Sequence, residues 1–107
     1  PFEMIYIGSI GDLQISNIST SRALRNADAS ILSSSSIHPY GLPITEGGEG
    51  TTGNVGVYFD GGFSHAPEQN LLGQEPHPAH NWVAGVDAAH RMAFEYLFNG
   101  YVVDRCD

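Results

Sequence analysis

Two residues stand where a chain can run acid–base chemistry: Asp12, at the end of IYIGSIGD, and His65, at the end of VGVYFDGGFSH. Each follows an apolar run, and polar residues at the carboxyl ends of parallel strands face the crevice where α/β proteins bind ligands. An imidazole there takes a proton from a nucleophile and returns it to the leaving group. A carboxylate beside it fixes the ring tautomer and stabilises the imidazolium. Asp60 is closer to His65 in sequence, but Asp60-Gly61-Gly62 is a turn sequence, so its expected role is structural. The plainer alternatives are a turn aspartate at position 12 and a loop histidine bonded to backbone at position 65.

A rival constellation is His77 and His80 with Asp87 and His90. Asp87 and His90 are three apart and share one helix face, so with the two loop histidines they could form a nitrogen and oxygen metal site. Against it, Pro78 stiffens the loop, and His90 alone reads as an ordinary helix residue. The glycine-rich residues 47–53 (GGEGTTG) are no phosphate loop, because the chain has no lysine and Glu49 would repel phosphate. No cofactor is expected. Cys106 is the single cysteine and can form no internal disulfide. Asn17-Ile18-Ser19 is a glycosylation sequon, meaningful in a secreted protein.

The elements that must carry these residues follow from the apolar pattern. Residues 3–10 (EMIYIGSI) and 55–59 (VGVYF) read as short strands covered on both faces, as in a parallel sheet. Between them Ser19, Thr20 and Ser21 offer cap oxygens to a helix whose apolar stripe is Ala23, Leu24, Ala27, Ile31 and Leu32, ended by the serines at 33–36. Residues 37–54, with Pro39, Pro43 and several glycines, read as one long loop. Residues 65–80 hold Pro67, Pro76 and Pro78 and cannot be a continuous helix. A helix is predicted over 81–98, with Asn81 as cap, Trp82, Val83, Val86, Ala89, Ala93, Tyr96 and Leu97 as its apolar face, and Asn99-Gly100 as its stop. Val102-Val103 is a candidate tail strand.

Strand, helix, long loop, strand, loop, helix is an α/β order, most simply a right-handed parallel crossover. Two strands leave too much apolar edge to stand alone, so the expectation is one segment, residues 1–107, of a larger sheet completed by another chain or segment.

In this order the chain resembles the C-terminal portion of an α/β-hydrolase. There a late strand ends in a Gly-x-x-Asp turn, approximated by Gly8 or Ser9 with Asp12. A helix (SRALRNA), a last strand with a glycine turn and histidine (YFDGGFSH), and a closing amphipathic helix follow. The resemblance implies a mostly parallel sheet and ester or other acyl hydrolysis, with Asp12 as acid and His65 as base. It also implies a nucleophilic serine or cysteine from a second polypeptide or N-terminal segment, since no Gly-x-Ser-x-Gly occurs in the 107 residues. A proline at position 1 also resembles the N-terminal base of the tautomerase superfamily, with Arg22 and Arg25 to hold a dicarboxylate. However, the long first helix and strong β-α-β repeat of that family are missing.

Composition limits the remaining classes. The chain has 107 residues, a formal charge of −8 and only four basic side chains, Arg22, Arg25, Arg91 and Arg105, which argues against a nucleic-acid or anionic-membrane surface. No stretch approaches the roughly 20 apolar residues of a membrane span. Absence of lysine with an acid surplus suits an extracellular or secreted protein. The non-catalytic alternative is a small acidic structural or assembly subunit whose apolar strands are completed by neighbours.

Overall fold

In a computed structural model, residues 4–11, 17–51, 53–63 and 81–106 are described. They form β1 (Ile5–Ser9), α1 (Asn17–Asn26), β2 (Ser30–Leu32), β3 (Ile44–Thr45), β4 (Val55–Phe59), a 3-10 turn (Val83–Gly85) and α2 (Asp87–Asn99). The strands make one sheet in the order β1-β4-β2-β3. Every pairing is parallel: Ile5 to Ser9 lie opposite Val55 to Phe59, Ser30 and Ile31 opposite Val55 and Gly56, and Ile31 and Leu32 opposite Ile44 and Thr45. The α/β character read from the sequence is present, and so is the parallel pairing of its two long strands.

Two further strands were not expected. Ile31 and Leu32, read as the tail of the first helix, form β2 beside β4, because α1 stops at Asn26. The stop is a Schellman closure: Asp28 sits at φ 54°, its N–H donates to the Arg25 carbonyl at 3.1 Å, and the Ala29 N–H donates to the Leu24 carbonyl at 3.0 Å. Aspartate is one of the few residues besides glycine that tolerates this left-handed backbone. Ala29 and Leu24 are both buried in one cluster, supplying the apolar contact that accompanies such a closure. Within the presumed loop, Ile44 and Thr45 pair with β2 as β3. Among the described residues β4 is therefore internal, flanked by β1 and β2.

Alternation along the strands divides the core in two. On one face Leu24 of α1 packs with Ile10, Ala29, Ile31, Leu42 and Tyr58; on the other Met92 of α2 packs with Leu32, Val55, Val57 and Val102. Gly56 faces α1, and a Cβ there would lie 3.0 Å from a Leu24 methyl, so the small residue lets the helix sit close.

The second helix is shorter than predicted. Val86 is extended, at φ −81° and ψ 123°, and separates the 3-10 turn from α2; it, not Asn81, occupies the cap position. Asp87 in the first turn complements the helix dipole. Its far end matches expectation: Gly100, at φ 75°, donates its N–H to the Tyr96 carbonyl. Ala89 and Met92 are the buried positions, whereas Leu97, assigned to the apolar face, is 77% exposed. Val102 is buried but irregular rather than a strand; its carbonyl accepts the Gly48 N–H at 2.7 Å. Arg105 holds this tail to α2 through a two-pronged bond to Glu95, both contacts 2.8 Å, and that guanidinium keeps the Glu95 carboxyl below its ordinary range. Among the described residues no helix is long and apolar enough to cross a membrane.

Leu24→Ala is expected to cost about 2–5 kcal/mol through the cavity left under α1. Gly56→Val is expected to cost about 1–3 kcal/mol by overpacking the same contact. Urea unfolding followed by circular dichroism measures both, and wild-type midpoints for both would contradict the packing of α1 on β4.

Candidate active site at the carboxyl edge of the sheet

Because all four strands are parallel, their carboxyl ends lie on one edge of the sheet. β1 leaves it through Ile10 and Gly11, and β4 through Asp60 to Phe63. Ser9 lies opposite Phe59, and the Ile10 N–H donates to the Phe59 carbonyl at 2.9 Å, which keeps the two chains together one residue beyond β1. Asp12 and His65, the sequence-predicted acid and base, lie outside the described residues. The segments leading to them depart from neighbouring strands.

The exit of β4 is a built turn. Asp60 Oδ1 accepts the Gly62 N–H at 2.8 Å, and Gly62 has φ 80°, so the Asp60 carboxylate is engaged as the turn sequence suggested. Phe63 and Trp82 meet edge to face at 6.0 Å. A Cβ on Gly61 would come within 2.8 Å of both rings, so only glycine fits between the turn and this pair. Helical residues 81–82 are thereby docked beside the end of β4.

The exits of β2 and β3 bring together residues that sequence reasoning passed over. Ser33 continues the ladder, donating its N–H to the Thr45 carbonyl at 2.9 Å, and thus lies one step beyond the Leu32–Thr45 pair. Its neighbour across the strands is Glu46, and the Ser33 hydroxyl donates to Glu46 Oε2 at 2.8 Å. A ring nitrogen of His38 lies 2.9 Å from the Ser33 carbonyl oxygen, to which its N–H form donates. The chain then loops out and rejoins β4. The Ser35 N–H donates to the Leu32 carbonyl, the Tyr58 N–H to Ser35 Oγ at 2.9 Å, and the Ser36 N–H to the Tyr58 carbonyl at 2.9 Å. Ser34 Oγ is buried within this turn and has no hydrogen-bond partner among the described residues. The sequence signal for the group was an apolar pair followed at once by polar residues. It was hidden because the pair also fitted a helical stripe.

Tyr58 anchors the turn from below. Its hydroxyl pairs with Ser21 Oγ at 3.1 Å beneath α1, and its ring meets Tyr6 edge to face at 5.8 Å. Burial pushes its phenol up to about 12, against a smaller opposing effect of the Ser21 bond. The rival metal group is not assembled among the described residues: no cluster of three or more His, Cys, Asp or Glu occurs there. Asp87 and His90 are both exposed on α2, and a His90 ring nitrogen is bonded to the Ala84 carbonyl, tying the 3-10 turn to the helix. His77 and His80 lie outside the described residues.

Comparison of the chain with protein-family models, curated proteins and solved structures finds no match.

The buried phenol makes a testable demand on stability. Because the folded-state pKa is raised from 10.0 to about 12, the stabilisation is complete below pH 10.0 and is lost as pH rises through about 12. Relative to Tyr58→Phe, the wild type is expected to lose on the order of 2–3 kcal/mol across that window. Urea midpoints measured against pH for the two proteins give the difference; parallel curves would mean the phenol ionises as freely when folded as when unfolded.

Proposed function

We propose that the carboxyl edge of β1 and β4 is the active site of an acyl hydrolase, with an ester as substrate. Asp12 orients His65, and His65 carries protons, from the nucleophile or from the attacking water. The observation that supports this reading is the pairing of β1 with β4: Ser9 opposite Phe59, and the Ile10 N–H on the Phe59 carbonyl. The segments that lead to the acid and to the base leave neighbouring strands on the same edge of the sheet. The order of acid before histidine agrees with the α/β-hydrolase pattern, and helices on opposite faces of a parallel sheet agree with its architecture. One difference is that β2 and β3 extend the sheet beyond β4, the strand after which His65 follows in sequence.

The nucleophile is a serine or cysteine. No Gly-x-Ser-x-Gly elbow occurs in the 107 residues, so the family pattern alone draws it from another segment or from a second polypeptide. An extracellular setting is part of the same proposal.

Hydrolysis of p-nitrophenyl butyrate tests the reading. His65→Ala is expected to lower kcat about 100-fold or more, and Asp12→Asn by a comparable factor. Wild-type rates should climb between about pH 5 and 8 as the imidazole loses its proton. Wild-type turnover in His65→Ala, or a flat pH profile, would contradict a histidine base.

A further inference from the structure

We propose that Ser33 is the nucleophile of this edge and that Glu46 is the carboxylate that takes its proton. The substrate class, an ester, rests on the hydrolase reading; the geometry rests on Ser33 and Glu46 themselves.

The pair is fixed by the sheet rather than by loop packing. Leu32 lies opposite Thr45, the Ser33 N–H bonds the Thr45 carbonyl, and the next residue on that side is Glu46. The hydroxyl donates to Glu46 Oε2 at 2.8 Å, within the range at which a base can take a proton. Ser33 is half-buried and Glu46 exposed.

The other serines of the run are differently engaged. Ser35 is buried, and its hydroxyl accepts the Tyr58 N–H; the Ser34 hydroxyl is enclosed in the turn. Ser36 is exposed, and among the described residues no carboxylate is bonded to its hydroxyl. Ser33 and Ser34 thus form a turn between two anchored points, the Leu32 carbonyl and Tyr58.

The order of strands gives the pair its place. β4, which leads to His65, lies between β1, which leads to Asp12, and β2, which ends at Ser33. The carboxyl ends of β1, β4 and β2, which lead to Asp12, to His65 and to Ser33, accordingly lie side by side on one edge of the sheet.

In the first step Ser33 Oγ attacks the ester carbonyl carbon and its proton passes to Glu46. The bond from that carbon to the alcohol oxygen breaks, and the proton held by Glu46 leaves with the alkoxide as alcohol. In the second step water adds to the acyl carbon, His65 taking a proton from it. The Ser33–acyl bond breaks, releasing the carboxylic acid, and the proton returns from His65 to Ser33 Oγ.

The test is labelling of the full chain with a fluorophosphonate, which forms a P–O bond to a reactive serine and expels fluoride, followed by mass-spectrometric mapping. The label is expected on Ser33, absent in Ser33→Ala, at least about 10-fold slower in Glu46→Gln, and unchanged in Ser36→Ala. The Ser33 hydroxyl bonds Glu46 beyond the β2–β3 pairs, whose own bonds are backbone bonds, and circular dichroism of each variant verifies the fold. Labelling elsewhere than Ser33, or at the wild-type rate in Glu46→Gln, overturns the proposal. His65→Ala separates this proposal from the hydrolase reading. It should keep the Ser33 label and lose turnover; if it keeps both, the histidine assignment fails and Ser33 stands.

Discussion

The structure turns on β4. It is buried along Val55 to Tyr58, hydrogen-bonded to a parallel neighbour on each side, and touched by a helix on each face. Its alternation assigns Val55 and Val57 to the α2 face and Tyr58 to the α1 face. Gly56 is the one position where bulk is removed, so that Leu24 can approach. Burial of this kind is favoured by roughly 25 cal/mol per Å² of apolar surface, and it is non-directional. Direction comes from the backbone ladder, which dictates that β1, β2 and β4 all end on one edge.

Each candidate functional group is tied to that strand. The end of β1 is held by the Phe59 carbonyl, and the serine turn after β2 is held by both backbone groups of Tyr58. The exit of β4 is shaped by Asp60, Gly61 and the Phe63–Trp82 pair. Tyr58 links the faces: its backbone fixes the serine turn while its ring and hydroxyl lie under α1 against Tyr6 and Ser21. A change that loosens α1 is thereby felt at the edge where chemistry is proposed.

How much of this was legible follows from the range of the forces. β1 and β4 were readable because five apolar or small residues in a row, bounded by turn residues, need no distant partner to be recognised. The end of α2 was readable from Asn99-Gly100, a local backbone requirement. β2 and β3 were not, since three and two residues respectively carry no period of their own, and their status as strands depends on each other and on β4. The start of α2 was missed because the extended Val86 interrupts an apolar spacing that is otherwise helical. Asp12 and His65 could be proposed from strand ends alone. The Ser33–Glu46 bond could not, because it joins residues 13 apart through the β2–β3 register.

The central claim is that Asp12 and His65 meet at the edge formed by β1 and β4. Replacing Cys106, the single cysteine, by serine and then introducing Asp12→Cys and His65→Cys leaves two thiols at the claimed meeting point. A disulfide forms without backbone movement only when the Cα atoms are about 4.4–6.8 Å apart. Thiol quantitation after mild oxidation of the folded protein is expected to find an intramolecular bond and no free thiol. Two free thiols that also resist bridging by a short bifunctional maleimide would contradict the account.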